Sequence, residues 1–132
     1  MNLYLDSSAL VKLVQVEPES GPLRRFLRRH RSDRLVTATL ARTEIVRAVL
    51  PAGPVAVGKA RRQLGRLEQV VLGPDLLDRA ATLAPGVRLR SLDAIHLSAA
   101  VVAGADLRAV VTYDHRMAEA ATQLGIAVES PA

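Results

Sequence analysis

Short apolar runs alternate along this chain with longer stretches in which apolar positions recur every three or four residues. NLYL at 2–5 reads as a strand that passes straight into SSALVKLV at 7–14, a helical pattern. In PESGPLRRFLRRHR (18–31), Leu23, Phe26 and Leu27 stand at i, i+3 and i+4, the stripe of a second helix. LVTA (35–38) is a second strand, and TLARTEIVRAVL (39–50) follows it with a helical face of Leu40, Ile45, Val46 and Val49. PAGP then leads into PVAVGKARRQLGRLEQ (54–69), helical despite two glycines. VVL (70–72) is a brief strand, and PDLLDRAATLA (74–84) is a helix with Pro74 suited to its first turn. LAPGVRLR (83–90) is the longest irregular stretch. SLDAIHLSAAVVAG (91–104) is the most apolar helix, with Ser91 as its expected N-cap and Gly104 as its stop. AVVT (109–112), YDHRMAEAATQLG (113–125) and IAVE (126–129) close the chain as strand, helix and strand.

Strands separated by helices imply a parallel sheet covered on both faces. The expected fold is α/β, a three-layer α/β/α domain with a central, mainly parallel sheet of four to five strands. VVL and AVVT are continuously apolar, as strands buried on both faces should be. With 132 residues and 49% hydrophobic positions, the chain is expected to form a single domain, 1–132, with a substantial core. It has no apolar run long enough to span a membrane, and Asp6 comes too early for a signal peptide, so a soluble cytoplasmic protein is expected. The absence of cysteine excludes disulfides and thiolate metal sites.

Charge changes the picture modestly. A net charge of +5 points to a polyanionic partner. Sixteen of the eighteen basic residues are Arg, however, a bias that GC-rich codon usage alone produces. Only Tyr4, Phe26 and Tyr113 are aromatic, which leaves little for a base-stacking sheet to work with.

Ligands of open parallel sheets gather at the carboxyl ends of the strands. Asp6 and Asp114 each lie just past a strand, Asp93 lies in the first turn of the apolar helix, and Glu44 lies in mid-helix after the second strand. Each has an ordinary reading. Asp6 and Asp114 serve equally as helix caps, Asp93 suits the helix dipole, and Glu44 could pair with Arg42 or Arg47. Asp93 is harder to set aside, because a charge leading an apolar helix needs a partner or a metal. If all four converge, carboxylates about 4 Å apart repel by roughly 4 kcal/mol at an effective dielectric near 20. No single Arg neutralises such a cluster, whereas a divalent cation does. Oxygen-only ligation suits a hard ion, Mg²⁺ or Mn²⁺, and the chemistry that follows is phosphodiester hydrolysis.

The stretches YLDSSALVKL, ARTEIVRAV, LRSLDAIHLSAA and VVTYDHRMAEAA resemble, in order and spacing, the motifs of the PIN-domain fold. More closely, the chain resembles the VapC-type ribonuclease toxins of bacterial toxin–antitoxin pairs, from Met1 to about Val128. The resemblance implies a single PIN domain in which Asp6, Glu44, Asp93 and Asp114 bind Mg²⁺, with Mn²⁺ able to substitute. Asp6 and Asp93 would be the most direct ligands, and Ser8 and Thr112 would hydrogen-bond to the acids. It further implies a homodimer, a cognate antitoxin that obstructs the acidic pocket, and structured RNA (tRNA, rRNA or mRNA) as substrate. Alternatives are a non-catalytic RNA-binding PIN domain or a PIN nuclease of RNA processing.

Other residues compete for attention. His96, three residues after Asp93, could reach a metal, but a hydrogen-bonded structural histidine is the commoner case in an apolar helix. His115 could touch substrate or antitoxin, while His30 carries no specific signal. Arg24, Arg25, Arg28 and Arg29 form a dense basic stretch, either a solvated helix face or a contact for RNA or antitoxin. A haloacid-dehalogenase-type phosphatase would need a second acid where Ser8 stands, and a dinucleotide fold would need a glycine-rich turn after the first strand.

Overall fold

Leu3 and Leu5 leave the first strand on one side and Tyr4 on the other, and all three are fully buried. That alternation divides the core in two, because the sheet carries helices on both faces. The computed structural model describes all 132 residues. The chain runs β1 (Asn2–Leu5), α1 (Ser7–Val14), α2 (Ser20–Arg29), β2 (Arg34–Ala38) and α3 (Ala41–Val49). A single 3-10 turn (Leu50–Ala52) leads to α4 (Pro54–Leu64) and β3 (Glu68–Val70). Then come α5 (Pro74–Ala81), α6 (Ser91–Val102), β4 (Leu107–Val111), α7 (His115–Gln123) and β5 (Val128–Glu129).

All five strands are parallel, in the order β3-β2-β1-β4-β5. On one face, Leu3 and Leu5 pack with Leu10 and Leu13 of α1, Leu23 and Phe26 of α2, Ile45 of α3 and Leu64 of α4. On the other, Tyr4, Val36 and Val110 pack with Leu76 of α5, Leu97 of α6 and Met117 of α7. This is the three-layer α/β/α arrangement expected from the pattern. Truncating a fully buried side chain such as Ile45 or Leu97 to alanine costs about 2–5 kcal/mol.

Several boundaries differ from the sequence reading. Helix α2 begins at Ser20 rather than Pro18. Ser20 buries its hydroxyl and donates to the carbonyls of Lys12 and Gln15, which fixes the turn before the helix. Helix α4 stops at Leu64, five residues short of the expected end, and β3 takes Glu68–Val70 instead of VVL. As an edge strand, β3 has a single neighbour, β2, and the register Val36↔Glu68 to Ala38↔Val70 leaves Val71 76% exposed. Ser91 does not cap α6: Arg90 holds the N-cap position without a side-chain cap bond, and Ser91 is the first helical residue. Gly125 does end α7. Its φ of +74° places it in the left-handed region, and Ile126 N–H donates to the Ala121 carbonyl as Gly125 N–H donates to Thr122, a Schellman closure.

Candidate functional site

The chain winds outward from β1 to β2 and β3, then crosses to the other side of β1 to lay down β4 and β5. The order therefore reverses between β1 and β4, and the crevice beyond their carboxyl ends is where such folds bind ligands. Asp6 directly follows β1, and Asp114 lies three residues past β4, so the topology brings both to this crevice. Helix α6 delivers Asp93 in its first turn, and α3 delivers Glu44 in its own first turn rather than in mid-helix.

Asp6 does both jobs that the sequence left open. Its Oδ1 caps α1 by accepting from Ala9 N–H at 3.1 Å, and it also accepts from Ser8 Oγ at 2.6 Å. Its Oδ2 accepts from Thr112 Oγ1 at 2.6 Å. Thr112 also receives the Asp114 backbone N–H at 3.0 Å, and Ser8 receives that of Tyr113 at 2.9 Å. Ser8 and Thr112 thus tie the end of β1 to the end of β4 around the Asp6 carboxylate. Burial pushes the Asp6 carboxyl above its ordinary range, and the hydroxyl bonds only partly offset it. Its hydrogen-bonding partners are hydroxyls and an amide, with no cation among them.

Asp114 caps α7 through Oδ1, which accepts from the N–H groups of Arg116 and Met117. Its Oδ2 accepts from Arg90 Nη2 at 2.6 Å, and Arg90 Nε donates to Asp93 Oδ2 at 2.9 Å. One guanidinium therefore spans two carboxylates. Arg90 serves half of the cluster, while Asp6 and Glu44 take other partners, so no single Arg neutralises all four acids. Sequence reading missed Arg90 because it closes a segment with no periodicity. Its position three residues before Asp93 was the available signal.

Glu44 does not pair with Arg42 or Arg47. Its Oε1 accepts from Ser7 Oγ and from His96 Nε2, each at 2.6 Å. His96 is 3% exposed, and its Nδ1 lies 2.7 Å from the Tyr4 hydroxyl. Burial works to raise the Glu44 carboxyl, but the bonds from His96 and Ser7 outweigh it and hold it below its ordinary range. Burial, with the nearby Asp6 charge adding to it, raises the Tyr4 phenol well above its ordinary range. His96 is thus hydrogen-bonded, as an apolar helix suggests, yet its partner is one of the four acids.

A divalent cation can be tested against these donors. All four acids offer hard oxygen, and Asp6 is a buried carboxylate lacking a counter-charge, so the residues fit the ion in type and place. As they stand, no three acidic or imidazole side chains are grouped as a ready cage, since Arg90 holds Asp93 and Asp114 while His96 holds Glu44.

The remaining candidates fall elsewhere. His115 and Arg116 are exposed beside Asp114, lining a shallow hollow with Arg90. Arg24, Arg25, Arg28 and Arg29 lie exposed on α2, and Arg24 donates to the Leu13 carbonyl. Helix α2 must end where β2 begins, which in a parallel sheet is the edge opposite the acids. Arg28 and Arg29, in its last turn, are therefore a full strand length from the site, about 15 Å. His30, just beyond them, faces the Phe26 carbonyl.

A family profile for the PIN domain matches residues 3–123. Ribonuclease VapC46 of Mycobacterium tuberculosis is 48% identical over 129 residues, covering 98% of this chain and 97% of its own length. Ribonuclease VapC35 of the same species is 40% identical over 131 residues, covering 98% and 96%. Among solved structures, M. tuberculosis VapC20, described as a sarcin–ricin-loop-cleaving toxin, superposes with a TM-score of 0.75 at 16% identity, over 98% of this chain and 99% of its own. A toxin–antitoxin complex from Klebsiella pneumoniae gives 0.71 at 16% identity, covering 98% of each chain.

Proposed function

This chain belongs to the PIN-domain family, and from that premise we propose that it is a divalent-metal-dependent endoribonuclease of the VapC toxin type. The observation that carries the reading is the placing of Asp6, Glu44, Asp93 and Asp114 around the strand-end crevice by two hydrogen-bonded sets, one running from Asp6 through Thr112, Asp114 and Arg90 to Asp93, the other holding Glu44 with Ser7 and His96. Relatives named as ribonucleases, at up to 48% identity over nearly the whole chain, support the same chemistry.

In this reading Asp6 and Asp93 are the direct ligands of Mg²⁺ or Mn²⁺, with Glu44 and Asp114 completing the anionic wall. When bound, the ion makes water more acidic and stabilises charge on the scissile phosphate and leaving oxygen. The protein's own part is placement. Ser8 and Thr112 fix both oxygens of Asp6, so that its carboxylate does not rotate. Ser7 and His96 hold Glu44 where it can orient an attacking water, and the amides of α7 hold Asp114. The substrate is structured RNA (tRNA, rRNA or mRNA), cut to leave a 3′-hydroxyl and a 5′-phosphate, with loss of translation as the consequence. A cognate antitoxin covering the crevice silences it, and the active form is a homodimer in the cytoplasm. The likeness to a toxin–antitoxin complex supports the antitoxin, and no helix is long and apolar enough to cross a membrane.

The test is incubation of the partner-free chain with total RNA in Mg²⁺, Mn²⁺ or EDTA, with Asp93→Asn alongside and the ends mapped by sequencing. Discrete cuts that need metal and vanish in Asp93→Asn are expected. RNA that binds but is never cut would move the reading to a non-catalytic RNA-binding domain.

A further inference from the structure

Arg90 is placed oddly for a residue that merely starts a helix. It ends the irregular segment 82–90, and its side chain is 60% exposed. An Arg stabilising the first turn of α6 would need only Asp93, its i+3 neighbour. Instead its second nitrogen crosses to Asp114 on a different element, at 2.6 Å. Asp114 does not need that bond, because its Oδ1 is already committed to the α7 amides. What the fork takes is the remaining oxygen, Oδ2, of each acid. It thereby fills the space between two carboxylates that would otherwise repel across the crevice. Arg90 also acts electrostatically on Glu44, so three of the four acids feel this one guanidinium.

We propose that Arg90 is a displaceable internal counter-ion. Its guanidinium and a divalent cation compete for the same carboxylate oxygens, and loading the site requires the Arg90 side chain to withdraw while Leu83, Val87 and Leu89 keep the preceding segment packed on the core. The inference rests on the metal-site reading above. The guanidinium can withdraw into water because its side chain is already 60% exposed, whereas Asp93 and Asp114 are mostly buried and need a cation in its place. The oxygens that Arg90 takes are the ones a cation would need, so no three acidic or imidazole side chains stand grouped as a ready cage. Once released, the guanidinium is free to fork a phosphate oxygen, which couples substrate binding to metal binding.

Competition can be separated from a general effect of charge. Mn²⁺ affinity would be measured by isothermal titration on the metal-free full chain as wild type, Arg90→Gln and Arg90→Lys. Arg90→Gln should bind Mn²⁺ roughly ten-fold tighter, the scale of losing two weak pairs. Arg90→Lys keeps the charge but cannot fork two carboxylates, so it should follow Arg90→Gln for most of that gain. Lysine behaving as wild type would mean that only net charge matters, and would overturn the proposal. Side-chain NMR on the wild type alone gives a second readout that no folding defect can obscure. Added Mg²⁺ should move the Arg90 Nε–H resonance to that of a solvent-exposed guanidinium, and an unchanged resonance in the metal-loaded protein overturns the proposal. If wild type fails to bind Mn²⁺ at all, the metal-site reading itself falls. Normal binding that ignores residue 90 removes the counter-ion alone.

Discussion

A buried imidazole between a phenol and a carboxylate has one arrangement that satisfies all three without separating charge. The Tyr4 hydroxyl donates to Nδ1 of His96, and Nε2–H donates to Glu44. The raised Tyr4 phenol agrees with it, since a protonated hydroxyl is what Nδ1 requires. Removing that hydroxyl leaves a buried nitrogen without a partner while the ring packing survives. Tyr4→Phe should therefore lower stability by about 1–3 kcal/mol. Cleavage should fall several-fold through kcat at unchanged KM, because Glu44 is less well held while the RNA-facing surface is intact. Thermal denaturation and single-turnover cleavage read the two effects. Unchanged values for both would show that Tyr4 does not position Glu44. None of this network is legible in the sequence, although His96 stands out there. Tyr4 and His96 are 92 residues apart, and periodicity carries no record of a polar pairing across the sheet. Asp6 and Asp114 are legible for the opposite reason: each stands at a helix start just past a strand, a position fixed by local pattern, and Asp93 shows as the one charge leading an apolar helix.

The same contrast holds for whole elements. The central strands β1 and β4 are readable because their buried residues are apolar without a break, as in Leu3, Tyr4 and Leu5, and β2 because Leu35, Val36 and Ala38 flank its one buried hydroxyl, Thr37. Strand β3 departs from the apolar pattern because an edge strand is chosen by pairing with β2 rather than by apolarity, and Glu68 and Gln69 pair while Val71 does not. What clamps the starts of the central strands was also hidden. Asp33, just ahead of β2, accepts from Arg108 of β4 and pairs with the Met1 amine ahead of β1 at 3.2 Å. Arg108 does most to hold the Asp33 carboxyl at about 2, below its ordinary 3.8. A carboxyl depressed in the fold stabilises it above its unfolded pKa and loses that contribution as pH falls through the folded value. The Asp33 contribution should therefore be complete at neutral pH and disappear between about pH 4 and 2. Asp33→Asn should lower the melting temperature at pH 7 and make the decline between pH 4 and 2 shallower. A variant whose acid limb matched wild type would show that the clamp does not contribute.

Across the whole molecule, a net charge of +5 says that polyanions are attracted, and the parallel topology says where they can be used. Every helix entered from the carboxyl end of a strand starts beside the crevice, and every helix returning to the start of a strand finishes at the opposite edge. Arg42 in the first turn of α3 and Arg116 in that of α7 therefore flank the acids, exposed and outside every ion pair, whereas Arg28 and Arg29 finish α2 on the far side. On the proposed function, RNA whose scissile phosphate meets Asp6 and Asp93 would pass Arg42 and Arg116 first. Binding measured in EDTA, where nothing is cut, should weaken with rising salt. Each Arg–phosphate pairing removed should flatten the logarithmic slope by roughly 0.7 for single strands. Paired charge reversal of Arg42 and Arg116 should then flatten the slope by about 1.4, while reversal of Arg28 and Arg29 should leave it near that of wild type. The contrast controls for net charge, since both double variants change it by the same amount. If instead the α2 pair flattened the slope and the crevice pair did not, RNA would be held on the face away from the acids. A nuclease site at the strand ends would then have no grip on its substrate.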